Sequence, residues 1–119
     1  MEKVNLEAKL ARIQEHWSPR IVAALNGQEV KLAKLQGEFV WHSHADEDEL
    51  FLVLRGRLRL LFRDGEVELA EGELYVVPRG VEHKPVADEE VEVLLFEPAT
   101  TVNTGELRND RTVARPEWL

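Results

Sequence analysis

The sequence predicts an all-β sandwich or barrel in a single domain, preceded by one N-terminal α-helix. Three observations support this fold class. The chain has 119 residues, which suits one domain with a modest hydrophobic core. Most of it consists of short β-rich runs separated by turn residues, the pattern typical of sandwiches and barrels. Only the beginning of the chain carries the apolar period of a helix.

The predicted helix spans about residues 4–16. Its apolar residues Leu6, Leu10, Ile13 and Trp17 recur at intervals of four, three and four, which places them on one helix face. Pro19 follows and is expected to end the helical segment.

The strands follow, with two dipeptides marking the sharpest turns. Asn26-Gly27 and Asp64-Gly65 predict tight hairpins because these residue types tolerate positive φ. We expect the core barrel over about residues 28–97 and a loop-rich C-terminal tail over 98–119, within one domain of residues 1–119. The predicted strands lie near residues 20–25, 29–35, 38–44, 49–54, 57–63, 66–70, 73–77, 82–86 and 91–97.

Charge and hydropathy argue against several classes of partner. The formal net charge of -8 disfavours nucleic acid, whose phosphates require a basic patch. No apolar run approaches the roughly 18 residues that a membrane-spanning helix needs, so no membrane partner is expected. A cytoplasmic location is the default expectation, because the N-terminus lacks the apolar core of a signal peptide and the chain has no cysteine.

Three of the four histidines form the most informative pattern. His42 and His44 are two apart on a predicted strand, so both imidazoles are expected to face one side. Glu49 opens the next strand, and His83 follows the predicted turn Pro78-Arg79-Gly80, which we expect to return the chain beside the preceding strand. Three imidazoles and one carboxylate suit one divalent transition metal ion, such as manganese, iron, cobalt, nickel, copper or zinc.

These residues lie in two segments that resemble known motifs. The run Gly37, four residues, His42-Ser43-His44, four residues, Glu49, six residues, Gly56 resembles the first cupin motif. The run Gly72, five residues, Pro78-Arg79-Gly80, two residues, His83 resembles the second.

With their strands, the two motifs cover residues from about 30 to 97, and fifteen residues separate them, as in compact single-domain bacterial cupins. The surrounding phrases are similar to a subgroup labelled mannose-6-phosphate-isomerase-like. There are two departures: the first spacer has four residues where the family commonly has five, and Ala87 stands where asparagine is common.

The resemblance implies a cupin double-stranded β-helix, or jelly-roll, barrel. It also implies that the metal ligands are His42, His44, Glu49 and His83. A homodimer is expected too, because small cupins are commonly dimeric and because the outer face of the strand at 49–54 is apolar at Leu50, Leu52 and Leu54. Either the N-terminal helix or a second copy is expected to cover that face.

The sequence allows two interpretations of several features. Asp48 is the alternative to Glu49 as a ligand if the register shifts by one residue. The alternating Arg55, Arg57 and Arg59 indicate an exposed strand face first and an anion site second. His16 is expected to have no role. The tail around Thr101, Asn103 and Thr104 is expected as a connecting loop, with a lid over the barrel mouth as the alternative.

Two classes of function are consistent with such a site. The first is a metal-dependent enzyme that acts on a small oxygen-rich metabolite, of the isomerase or dioxygenase type. The second is a non-catalytic module that binds or senses a small molecule. A non-ligand acid or base in the pocket would favour catalysis. Glu38, Tyr75, Arg79 and Glu82 are the candidates, and the sequence does not choose among them.

Overall fold

The computed structural model describes all 119 residues, which form one short helix and seven strands. The helix α1 spans Leu6–Leu10. The strands are β1 Arg20–Leu25, β2 Gln28–Glu38, β3 Glu49–Arg55, β4 Leu58–Phe62, β5 Gly65–Leu69, β6 Leu74–Val77 and β7 His83–Pro98. The helix is too short and polar to cross a membrane, and no other helix is present.

All strand pairs are antiparallel, and β7 is the central element. Along one path the strand order is β1-β2-β7-β3-β6, while β4 pairs with both β5 and β7. Because β7 borders β2, β3 and β4, it joins both sides of the barrel. The predicted fold class, an all-β jelly-roll barrel with an N-terminal helix, is confirmed.

The two strands predicted at 82–86 and 91–97 are one continuous strand, β7. The break was expected at the charged residues Asp88, Glu89 and Glu90, which instead form an exposed bulge opposite the register shift after Leu35. A bulge leaves the ladder of hydrogen bonds intact on either side of it. The three charged residues therefore interrupt the pairing locally and do not end the strand.

The turn at residues 78–80 does not produce a hairpin, contrary to prediction. β6 pairs with β3, whereas β7 leaves the turn to pair with β4, where His83 lies opposite Phe62. The predicted strand at 38–44 is also absent as a regular element. β2 ends at Glu38, and from there only His42 makes a strand-like bridge, to His83.

The helix is shorter than the predicted residues 4–16. Asn5 caps it, since its side chain accepts a hydrogen bond from the Ala8 amide at 2.9 Å. Beyond Leu10 the backbone is drawn to the barrel instead: the Trp17 amide donates to the Lys34 carbonyl at 2.9 Å, and Trp17 adopts a φ of 61°. Directly after the helix the amides of Arg12 and Ile13 bond only three residues back, to the carbonyls of Lys9 and Leu10, so the α-helical pattern has already ended before the chain reaches β2.

Of the two predicted hairpins, one has the expected turn and the other is displaced. Asn26 and Gly27 both have positive φ, 51° and 79°, in the turn that joins β1 to β2. The β4–β5 hairpin has the loop residues Arg63 and Asp64, and Gly65 already belongs to the strand without positive φ.

The apolar residues form two clusters, one on each side of the sheet. We call the first the inner core; it fills the barrel with Ala33, Leu35, Phe51, Val53, Leu58, Leu60, Leu69, Val77, Ala87, Val91, Val93 and Leu95. The second, outer cluster lies under the N-terminal segment and consists of Leu10, Ile13, Val22 and Leu32. Leu54 packs against this outer cluster, so the N-terminal segment covers one end of the apolar outer face of β3.

Candidate metal centre

His42 and His83 are held together by their own backbones. The amide of each residue donates to the carbonyl of the other, at 3.0 and 2.9 Å. Each imidazole Nδ1 also lies 2.9 Å from the carbonyl oxygen two residues before it, that of Val40 or Val81. A carbonyl only accepts, so Nδ1 of both rings carries a proton and Nε2 of both rings is left to face the interior of the cluster.

His44 and Glu49 complete the arrangement. The Oε1 atom of Glu49 lies 3.4 Å from Nε2 of His44 and 3.3 Å from Nε2 of His83. His44 is buried, and neither of its ring nitrogens has a hydrogen-bond partner. A buried imidazole without any partner is costly, so it calls for a ligand.

We call these four residues the His/Glu cluster: His42, His44, Glu49 and His83. All four are buried, and one donor atom from each lies within 4.8 Å of the others. These are the four residues that the sequence singled out, and in the structure they form one group inside the barrel. The Nε2 atoms of His42 and His83, the unpartnered His44 and the carboxylate fit a divalent transition metal ion.

Burial and neighbouring groups together shift the pKa values of His42 and Glu49. Burial lowers the pKa of His42 to about 4, with further lowering by the nearby His83, so the ring is neutral at neutral pH. Burial would raise the pKa of Glu49, but the adjacent His44 and His83 imidazoles outweigh it and hold that pKa well below its usual range. Neutral imidazoles and an ionised carboxylate are the forms that ligate metals.

The two loops that carry the cluster are tied to each other. The Gly80 amide donates to the His44 carbonyl at 2.8 Å. Asp48 accepts a hydrogen bond from the Arg79 amide at 2.8 Å and another from its guanidinium at 3.2 Å. Asp48 is therefore an exposed clamp between the loops, and Glu49 is the residue that joins the cluster.

The four candidate acid or base residues lie outside the cluster. Three are exposed and engaged in surface ion pairs: Glu38 with Lys84, Arg79 with Asp48, and Glu82 with Arg63. Tyr75 packs against the inner core, with its ring centroid 5.8 Å from that of Phe62. The other residues that the sequence singled out lie in surface ion pairs: Arg55 with Glu92, Arg57 with Glu68, Arg59 with Asp88 and His16 with Glu90.

A cavity of about 40 Å³ adjoins the cluster. Its polar lining comes from His42, Glu49, Glu97 and Asn103. The rest of the lining is mainly apolar: Trp17, Pro19, Ala33, Leu35, Phe39, Phe51, Pro85 and Leu95. Trp17 and Phe39 stack with their ring centroids 4.7 Å apart.

The C-terminal tail packs on the mouth of this cavity. Thr101 and Thr104 are buried, and Asn103 lines the cavity. Gly105, with a φ of +62°, passes so close to the His-Ser-His loop that a Cβ on it would lie 2.0 Å from the Ser43 carbonyl oxygen. The geometry therefore favours the covering interpretation of the tail over that of a simple connecting loop.

Sequence reasoning missed two charged residues inside the barrel, Lys31 and Glu97. They are 1% and 2% exposed, and Lys31 Nζ lies 2.9 Å from Glu97 Oε1. Strand parity was the available signal, since Lys31 is in phase with Ala33 and Leu35 and Glu97 with Val93 and Leu95. The signal was ambiguous because the opposite faces of these strands are also apolar.

Glu97 lies directly beside the cluster. Burial raises its pKa well above the usual range, and the neighbouring Glu49 carboxylate raises it further, against the opposing effect of Lys31. Its second oxygen, Oε2, is buried with no donor within hydrogen-bonding distance. Glu97 is thus a carboxyl group in the cavity that is not a member of the His/Glu cluster.

Comparison with known proteins agrees with this fold. The profile of the cupin domain family matches residues 25–97, more than half of the chain. The chain belongs to the cupin family. The match is to the family as a whole, so the isomerase-like subgroup stays a prediction.

Three relatives illustrate how far the similarity extends. A cupin-2 domain containing protein from Shewanella frigidimarina NCIMB 400 is 49% identical, with a TM-score of 0.79 over 80% of this chain and 93% of its own. Protein NMB1881 from Neisseria meningitidis is 35% identical, with a TM-score of 0.75 over 82% and 99%. The uncharacterized protein YdbB of Bacillus subtilis (strain 168) is 36% identical over 67% of this chain and 72% of its own.

Proposed function

We propose that this cupin binds one divalent transition metal ion through His42, His44, Glu49 and His83. The observation that carries the proposal is the buried His44 ring, whose two nitrogens lack any partner while Glu49 lies 3.4 Å away. A metal ion would satisfy His44 and would also be within reach of the Nε2 atoms of His42 and His83. Four protein ligands leave one or two coordination positions for water or a small molecule.

We further propose that the protein is an enzyme that acts on a small oxygen-containing molecule at this site. A bound metal would supply Lewis-acid polarisation of an oxygen, or redox chemistry if it is iron or manganese. The support for catalysis is Glu97, a carboxyl group in the cavity that is not one of the four proposed ligands. The alternative is a module that binds or senses a small molecule, for which the same apolar cavity and polar groups suffice.

Elemental analysis of protein purified without added metal tests the site. We expect one equivalent of a transition metal in the wild type and none in His42→Ala/His44→Ala. His16→Ala is the matched control, because His16 is exposed and bonded to Glu90 outside the cluster. Equal metal content in wild type and double variant would refute the proposal.

The homodimer is the second part of the proposal. On the outer face of the barrel, Leu50 pairs with Val76 and Leu52 with Leu74, in an apolar patch. Leu74 and Val76 are 55% and 44% exposed, on a strand that has no partner on its other side. A second copy packed on this patch would cover both the apolar face and the open strand edge.

Sedimentation velocity with Leu74→Lys/Val76→Lys tests the dimer. Both side chains point away from the inner core, so we expect a folded monomer where the wild type sediments as a dimer. If the variant has the same sedimenting mass as the wild type, the patch around Leu74 and Val76 is not a dimer interface.

A further inference from the structure

The Lys31–Glu97 pair is the one charged group inside the barrel that the proposed metal site does not use. Lys31 Nζ bonds one Glu97 oxygen at 2.9 Å and also lies 3.6 Å from Glu29. This arrangement fixes Oε1 of Glu97 and leaves Oε2 without a donor. A buried ion pair is costly to keep, which makes an unsatisfied oxygen within it a candidate for a binding role.

The other polar residues of the cavity already make hydrogen bonds or belong to the proposed metal site. Asn103 uses both ends of its amide, because its Nδ2 donates to the Arg111 carbonyl and its Oδ1 accepts from the Val113 amide. His42 Nδ1 faces the Val40 carbonyl, while its Nε2 and the Glu49 carboxylate belong to the proposed metal site. Among the cavity residues outside the His/Glu cluster, Glu97 Oε2 is the buried side-chain oxygen without a hydrogen-bond partner.

We propose that Glu97 is a specificity residue, which bonds the hydroxyl of a small uncharged molecule whose neighbouring oxygen occupies the metal. This inference rests on the proposed metal function. A hydroxyl suits the position because it both donates and accepts, so it can pair with a carboxylate or with a carboxylic acid. A ligand oxyanion could pair only with the acid form, and an ammonium only with the carboxylate.

Size and geometry narrow the class further. In this measure a cavity of about 40 Å³ has room for on the order of three water molecules, so the buried part of the ligand is a fragment of a few non-hydrogen atoms. Because Glu97 lies against Glu49, one of the proposed ligands, a hydroxyl bonded by Glu97 would be close to a metal ion held by the His/Glu cluster. We therefore expect the two oxygens on adjacent carbons, as in a hydroxyketone or a vicinal diol, with carbon atoms against Phe39 and Phe51, which line the cavity.

The probes are hydroxyacetone and methoxyacetone, which differ in whether the oxygen next to the carbonyl carries a proton. Their affinities for the Co²⁺-loaded protein are read from the visible spectrum of the bound metal, with no activity assay. We expect the wild type to bind hydroxyacetone at least about tenfold more tightly, the size expected for a buried hydrogen bond to a charged group. Equal affinities in a Co²⁺-loaded wild type would overturn this inference alone, whereas a wild type that binds no Co²⁺ would overturn the proposed function and the inference with it.

Variants of the pair distinguish recognition from a structural role. Lys31→Met/Glu97→Leu removes both charges together, so neither is left buried alone, and leaves the four proposed ligands in place. We expect it to retain Co²⁺ and to bind both ketones within about twofold of each other. Glu97→Gln keeps a group that donates and accepts, and Glu29 still lies near Lys31, so we expect it to retain the preference for hydroxyacetone. A double variant that still prefers hydroxyacetone would refute the role of Glu97, and the wild-type comparison decides the question if that variant does not fold.

Discussion

The barrel interior contains two regions that are built from the same strands but differ in how well their atoms are satisfied. On the inner face of β3, Glu49 belongs to the His/Glu cluster, while Phe51 and Val53 belong to the inner core. The inner core needs only burial and fit. In the cluster, by contrast, His44 and the neighbouring Glu97 have buried polar atoms without partners. The inner core therefore stabilises the fold, and this stability offsets the cost of the buried polar atoms that have no partner in and beside the cluster.

The largest expected effect comes from the inner core. Leu60 is fully buried there, so Leu60→Ala should lower the free energy of unfolding by about 2 to 5 kcal/mol through lost burial and the cavity left behind. Urea unfolding measures the change, and elemental analysis of the folded variant should show unchanged metal content. A loss below about 1 kcal/mol would contradict the assignment of the main stabilising role to the inner core.

Metal should stabilise the other region. A metal ion at about one hundred times its dissociation constant raises the free energy of unfolding by about 2.7 kcal/mol if it binds only the folded state. We expect this increment in the wild type and its absence in His42→Ala/His44→Ala, measured as the shift of the urea midpoint between metal and chelator. An equal shift in both proteins would locate the metal elsewhere.

The two regions also differ in what covers them: strands enclose the core, whereas the tail covers the cluster. Gly105→Ala should detach this cover, because the new Cβ would lie 2.0 Å from the Ser43 carbonyl oxygen. Gly27→Ala is the matched control, since Gly27 also has positive φ but nothing lies within 4 Å of its Cβ position. The control should show only the backbone cost of about 1 to 2 kcal/mol.

Limited proteolysis distinguishes these outcomes. We expect rapid cleavage within residues 99–113 of Gly105→Ala and wild-type resistance of the tail in Gly27→Ala. Equal resistance in the two variants would show that the tail does not depend on its approach to Ser43.

The sequence could predict the His/Glu cluster because motif spacing is local. His42, His44 and Glu49 lie within eight residues, and His83 follows its own turn. The strand at 38–44 that was expected to orient the two histidines is missing, but the backbone bonds between His42 and His83 orient the first ring instead. The four residues thus lie together although the strand expected to orient the two histidines is absent, and their role as metal ligands stays a prediction.

What the sequence could not predict depends on long-range pairing. Strands were predicted at 82–86 and 91–97, and only the pairing with β2 shows that residues 88–90 between them form a bulge in one strand, β7. The helix ends at Leu10, and the chain pairs with Lys34 of β2 from His16 onward, a long-range contact that helical periodicity does not report. Lys31 and Glu97 escaped notice because both faces of their strands are apolar, so inside and outside could not be distinguished by pattern.

The smallest expected effect is that of Asp48→Asn, which is compared with Glu49→Gln at the neighbouring position. Glu49→Gln should abolish metal binding, because the substitution replaces an ionised ligand within 3.4 Å of two imidazoles by a neutral amide. Asp48→Asn should leave the metal content at one equivalent, since Asp48 is exposed and its contacts are to Arg79. Elemental analysis of the two variants side by side measures the difference. Loss of metal in Asp48→Asn with retention in Glu49→Gln would mean that the register of β3 is shifted by one residue and that the division between cluster and core is drawn at the wrong positions.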